Sequence, residues 1–237
     1  WWSARAAIQG NGVVSPWAAA SRDVSVPTFN DLYWPSDPFA CGNPDLRPQI
    51  SLGAEGGVRF TPGETLLLGA AGFLTRTTDL ILWLPGDDGV WTPENTAESF
   101  SRGVELEAGL VLEPMRLTGN VTFSTVTDES PGTPRKGLLL PYRPQVTGGG
   151  SLTLTPATGW DATLELSGQG RRFTNRTETL SLPPYLLLDA TVGFPSVGGV
   201  RPKVWVLNAA GVSYQESGGY RGRPRTIGLT IETGETP

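Results

Sequence analysis

Strict alternation of apolar and polar residues, repeated along nearly the whole chain, limits what it can fold into. In 104–112, Val104, Leu106, Ala108, Leu110 and Leu112 share one side, and Glu105, Glu107 and Gly109 the other. In 116–124, Leu117, Gly119, Val121 and Phe123 oppose Arg116, Thr118, Asn120, Thr122 and Ser124. Residues 145–154 and 160–169 behave alike, as do 50–60, 186–192 and 225–232. Successive side chains of a strand point to opposite faces, so each segment is a strand with one apolar and one polar side. Helical periodicity appears nowhere. The pattern predicts eleven strands, at 1–8, 13–24, 49–61, 65–83, 98–112, 115–128, 143–155, 160–173, 184–195, 202–214 and 224–234. The first two are blurred by Gly, Ser and Pro16.

The connections between these strands alternate between short and long. Gly10-Asn11-Gly12, Pro62-Gly63-Glu64, Glu113-Pro114, Pro156–Gly159 and 196–201 are short, whereas 25–48, 84–97, 129–142, 174–183 and 215–223 are long. Transmembrane barrels show this asymmetry, with tight periplasmic turns and longer extracellular loops. Several strands also exceed the ~5–6 residues usual in soluble sheets and approach the ~9–11 of a tilted membrane strand. Phe60, Trp160 and Trp205 are expected on the apolar face beside short turns, as an interfacial girdle or as scattered core aromatics. Within one strand a soluble sandwich and a membrane barrel look identical. Strand length and loop asymmetry favour the membrane.

Composition removes several chemistries. The chain has no His, so the commonest general base and metal ligand is missing, and a Ser–His hydrolytic pair cannot form. Cys41 is the only cysteine and lies among loop residues, so no disulfide forms within the chain. The net charge of −5 with no basic stripe argues against nucleic acid as a partner. No apolar run reaches the ~20 residues of a transmembrane helix, which leaves a barrel untouched. Trp1-Trp2-Ser3-Ala4-Arg5 reads like the middle of a strand, as if cut from something longer.

Four stretches then carry a family resemblance. Ser21 to Tyr33 contains Pro27 and ends in Leu32-Tyr33. Gly42-Asn43-Pro44-Asp45-Leu46-Arg47-Pro48-Gln49-Ile50-Ser51 follows. Thr75 to Ile81 ends in Asp79-Leu80-Ile81, and Asn95-Thr96-Ala97 precedes Gly103-Val104-Glu105. Leu207-Asn208, Tyr214 and Gly222-Arg223 precede the last strand. In this order they resemble the barrel of TonB-dependent outer-membrane receptors, with a flavour of the cobalamin and siderophore group. Gln49 stands where the family usually has Glu, and the end of the chain lacks the usual terminal aromatic.

The resemblance implies that 1–237 is an all-β, antiparallel transmembrane β-barrel portion, about half of a larger plugged barrel of some twenty-two strands. The plug, its TonB contact and the earlier strands would lie outside this sequence. It further implies an outer-membrane receptor for energy-dependent uptake of a scarce small-molecule nutrient, surrounded by lipid and coupled to the TonB complex through the plug. The rivals are a small passive pore and a soluble all-β binding module.

Candidate sites are few. Tyr33, Trp34, Trp91 and Tyr142 on or near long loops are candidate ligand contacts, because aromatics give contact area at low entropy cost; interfacial anchoring is the alternative. Glu105, Glu107, Asp161 and Glu165 read as wall carboxylates bonded to Arg or to plug backbone rather than as an acid–base pair. Asp87-Asp88-Gly89 reads as a loop turn, with calcium binding as the alternative. The two Asn-x-Thr sequons at Asn120 and Asn175 carry no meaning in such a protein. No catalytic residue, metal site or cofactor is expected.

Overall fold

A computed structural model describes residues 4–10, 12–85, 89–96 and 98–233. Asp87 and Asp88, Ala97, Trp1 to Ser3 and the last four residues lie outside the described residues, and with them the loop-turn or calcium reading.

The alternating segments form one sheet of eleven strands, each hydrogen-bonded to its sequence neighbours in antiparallel register. They are β1 (Ala4–Gln9), β2 (Val14–Ser25), β3 (Gln49–Phe60), β4 (Leu66–Thr78), β5 (Ser99–Leu112) and β6 (Met115–Asp128). Then follow β7 (Val146–Leu154), β8 (Asp161–Gln169), β9 (Tyr185–Gly193), β10 (Val200–Leu207) and β11 (Thr226–Thr233). Because the strands run up and down in order, all five short turns fall at one end and all five long loops at the other. β1 and β11 are the two edges of the sheet and do not pair with each other.

The register lines up the apolar side chains across strands. One row reads Gly56, Gly72, Val104, Phe123 and Val146; another reads Phe60, Leu68 and Ala108. The opposite face carries Glu55, Arg59, Glu105, Glu107, Arg116, Asn120, Asp161 and Glu165 by the same parity. This is a single layer without a core between sheets. Leu52, Leu74, Leu106, Leu117, Leu164 and Leu229 are all exposed on the apolar face. The buried side chains gather instead at the loop end, among them Leu46, Pro93, Asp128, Leu140, Arg172, Leu182, Asn208 and Tyr214. A soluble monomer does not leave such a contiguous apolar face in water.

Two ion pairs brace the polar face across an intervening strand. Arg59 of β3 meets Glu107 of β5 over Gly69 of β4, and Arg201 of β10 meets Asp161 of β8 over Gly193 of β9. A Cβ at either glycine would collide with the carboxylate side chain, so the missing side chain makes the bridge possible. Glu105 and Glu165 face the same side without an ion pair among the described residues.

Several expectations need correction. The strands expected over 160–173 and 202–214 stop at Gln169 and Leu207. The strand expected over 65–83 stops at Thr78, because Asp79 turns the chain in the left-handed region (φ 55°), and Leu80–Pro85 leaves the sheet to pair with Trp91–Thr96. The left-handed turn is held by Arg47, which pairs with the Asp79 carboxylate, and by Asn95 Nδ2, which donates to Asp79 O. Trp205 lies on the polar face, opposite Thr191, because Val200, Pro202, Val204 and Val206 carry the apolar parity of β10. Its ring covers Gly228, and Nε1 donates to Thr230 Oγ1 at 3.1 Å. Phe60 does lie on the apolar face, and Trp160 stands exposed one residue before β8. Among the described residues one helical turn, Phe29–Tyr33, lies in the long connection 25–48, where no helical periodicity was expected.

Candidate functional site

The loop end is where side chains converge, and one apolar hollow there is lined by tryptophan. The helical turn Phe29–Tyr33 starts at Thr28, whose Oγ1 accepts from Asp31 N while the Asp31 carboxylate accepts from Thr28 N at 2.8 Å. This reciprocal cap fixes the turn and aims Asp31 at the neighbouring hairpin. There Asp31 Oδ1 accepts from Trp83 Nε1 at 2.9 Å. Trp34 follows the helical turn and meets Trp83 edge to face, ring centres 6.2 Å apart. The chain then doubles back. Trp91 N donates to Phe39 O, Cys41 N donates to Trp91 O, and Gly42 N donates to Trp34 O. Trp34, Ala40, Trp83 and Trp91 line a shallow, open apolar hollow of about 330 Å³.

Two carboxylates set the electrostatics around it. Burial pushes the Asp31 carboxyl up, but hydrogen bonds from Thr28 and Trp83 outweigh this and hold it below its ordinary value. The N–H groups of Phe39 and Ala40 hold Asp37 low, helped by a hydrogen bond from Trp34. Both acids are thus charged near neutrality and fix the loop that carries Trp34.

The family-like motif residues turn out to be latches beneath this pocket. Asn43 Nδ2 donates to Pro93 O at 3.0 Å, and Asn43 N donates to Asp31 O at 2.8 Å. Asn95 accepts from Arg47 N and donates to the carbonyls of Arg47 and Asp79, tying the loop 26–48 to the hairpin 80–96. Gly42 is obligatory in this arrangement, since a Cβ there would sit 2.5 Å from Trp34 N. At the other end of the chain Asn208 does the same work. Its Nδ2 donates to Val212 O and Arg223 O, while Tyr214 lays its ring on Gly222 and accepts from Arg223 N.

Of the four aromatics expected from the sequence, Trp34 and Trp91 meet in the pocket. Tyr33 does not line it; its exposed ring tilts against Phe29, with centres 5.1 Å apart. Tyr142 belongs to a separate patch: its N–H donates to Phe173 O and its hydroxyl lies beside Gly218. Near it Arg172, 3% exposed, covers Tyr185 and donates to the carbonyls of Gln215 and Glu216, and the Tyr185 ring packs tilted against Tyr214. Trp83 was not among the expected residues. Its only sequence signal is that Leu80-Ile81-Leu82-Trp83-Leu84 is continuously apolar and breaks the alternation. The arrangement can pack against an apolar or planar group.

Comparison with known proteins follows the same lines. Residues 2–213 match the family described as TonB dependent receptor-like, beta-barrel. The vitamin B12 transporter BtuB of Vibrio vulnificus is 36% identical over 109 residues, 45% of this chain and 17% of that protein. BtuB of Photobacterium profundum is 38% identical over 96 residues, 39% of this chain and 15% of that protein. Among solved structures, the siderophore receptor PirA from Acinetobacter baumannii superposes with a TM-score of 0.75 at 16% identity, over 97% of this chain and 40% of its own. The ferric yersiniabactin uptake receptor FyuA from Yersinia pestis gives 0.69 at 19%, over 96% and 35%. The chain therefore spans well under half the length of the proteins it matches.

Proposed function

Since this chain belongs to the TonB-dependent receptor β-barrel family, we propose that it forms about half the wall of an outer-membrane receptor for energy-dependent uptake of a scarce nutrient. The observation that carries this reading is the single-layer sheet, apolar on one face and polar on the other, with every long loop at one end. Such a sheet is stable with lipid against its apolar face and a polar lumen against the other. Its unpaired edges at β1 and β11 support the larger barrel over a small pore closed from these strands alone. Each unmet backbone group in hydrocarbon costs several kcal/mol, so further strands must cover them. The exposed apolar face counts equally against a soluble binding module.

In this reading the loops capture the ligand outside the cell and the braced polar face lines its path. Coupling to the TonB complex belongs to the plug, outside this chain. The two vitamin B12 transporters among its relatives favour a cobalamin as ligand, and the tryptophan pocket suits an apolar or planar part of it. The test is uptake of labelled cyanocobalamin by cells carrying the gene with its native flanking sequence, with and without TonB. TonB-dependent uptake is expected. Uptake of a ferric siderophore instead would move the ligand assignment, and uptake independent of TonB would overturn the mechanism.

A further inference from the structure

The loop end is electrically divided. The connections 26–48 and 79–98, which carry the tryptophans, hold eight acids and one arginine. The connections 129–145, 170–184 and 208–225 hold nine cations and three acids. The first group rises from β2–β5 and the second from β6–β11, so the two halves of the loop end bear opposite charge.

The basic half converges on Tyr142. Tyr142 N donates to Phe173 O at 2.7 Å, and its hydroxyl lies beside Gly218 in the hairpin closed by Gln215 and Arg221. These contacts bring Arg143, Arg171 and Arg221 to one patch, where the Arg171 guanidinium lies 5.6 Å from the centre of the Phe173 ring. Arg172 backs the patch. It is 3% exposed and gives Nη2 to the carbonyls of Gln215 and Glu216, while its Nη1 is buried with no acceptor among the described residues.

The acids nearby leave this charge uncompensated. Asp128 is taken by Arg176 and Arg135, and Glu129 is bonded to Thr127. Glu178 accepts from Leu139 N, and Asp189 accepts from Asn208 N. Glu216 is exposed and stands against six exposed cations: Lys136, Arg143, Arg171, Arg221, Arg223 and Arg225. None of the six has a carboxylate within 4.0 Å among the described residues. Crowded cations without counter-charge repel one another and attract anions, and arginine forks suit phosphate oxygens.

We infer that the patch around Tyr142 is a second ligand subsite, taking an anionic oxygen group such as a phosphodiester on Arg143, Arg171 and Arg221. The inference rests on the receptor reading above. The hairpin of Trp83 and Trp91 springs from β4 and β5 and the loop of Tyr142 from β6 and β7, two strand spacings or ~10 Å apart at the sheet. One ligand can thus lay a planar part on the tryptophans and an anionic appendage on the arginines. The opposite charges of the two halves orient it as it arrives.

The test uses the protein expressed with its native flanking sequence, purified in detergent and titrated by tryptophan emission. Two probes share a planar metal macrocycle: cyanocobalamin carries a phosphodiester-linked nucleotide, and dicyanocobinamide lacks it. Arg143→Gln combined with Arg221→Gln removes two exposed charges and no side-chain hydrogen bond of the fold. Affinity for cyanocobalamin is expected to fall about tenfold, the difference narrowing as salt is raised, while affinity for dicyanocobinamide is unchanged. Trp34→Ala, in the other half, is expected to weaken both probes. Heat-modifiable migration reports that each variant keeps its sheet. Wild type that binds both probes, with a double variant that loses neither or loses both equally, overturns this subsite alone. Wild type that binds neither probe overturns the cobalamin reading and the subsite with it.

Discussion

Gly42→Ala should open the tryptophan pocket while leaving the sheet intact. The new Cβ would lie 2.5 Å from Trp34 N, 2.8 Å from Leu32 O and 2.9 Å from Leu32 C. All three are backbone atoms, so no side chain can swing aside and the loop itself must move. The movement strains the bond from Gly42 N to Trp34 O and its neighbours from Asn43 N to Asp31 O and from Cys41 N to Trp91 O. At ~1 kcal/mol net for each hydrogen bond, losing two or three shifts the loop equilibrium by about 2–3 kcal/mol. That is about a 30- to 150-fold change in the closed population, and ligand affinity falls by at most the same factor if only the closed loop binds. Tryptophan emission reports the opening, titration with cyanocobalamin reports the affinity, and heat-modifiable migration reports the sheet. Gly72→Ala is the control, because its Cβ has room. Unchanged emission and affinity in Gly42→Ala would refute the reasoning, as would loss of the whole sheet.

Other perturbations follow from the same geometry. Arg176→Met removes a 2.7 Å charged bond to Asp128, whose side chain is 3% exposed and would keep only Ser130 and a more distant Arg135; a cost of about 2 kcal/mol is expected, seen as faster proteolysis of the loops 129–145 and 170–184. Tyr214→Phe removes the acceptor for Arg223 N and should cost about 1 kcal/mol, read as faster hydrogen exchange around Asn208 and Arg223. Asp31 and Asp37 are both held below their ordinary value of 3.8, so their stabilisation of the pocket is full above that pH and is lost as pH falls through the lower folded values. Tryptophan emission should therefore be flat from neutrality down to about pH 4 and change only in stronger acid.

Most of the wall was legible in the sequence because one property, parity, decides which face a strand residue occupies. That property also fails in an instructive way at β10, where Trp205 looks apolar but shares parity with Arg201 and Lys203. Indole can lie on a polar face when a facing glycine, here Gly228, leaves room and a threonine takes its N–H. The pocket was only half legible. Trp34 and Trp91 stand out as loop aromatics, but Trp83 enters through a left-handed turn at Asp79 that depends on Arg47 and Asn95 from distant segments. No local pattern encodes such contacts. Tyr33 and Tyr142 show the converse, since a loop aromatic can as readily brace its neighbours as line a hollow.

The most direct test of the central claim is which end of the sheet faces outward. In a Cys41→Ser background, Gly132→Cys places a thiol in a long loop and Val197→Cys, at a 78% exposed position, places one in a short turn. A membrane-impermeant maleimide is then applied to intact cells and to lysed cells. Gly132→Cys should be labelled in both and Val197→Cys only after lysis. Labelling of Val197→Cys on intact cells, or recovery of both variants in the soluble fraction, would contradict it.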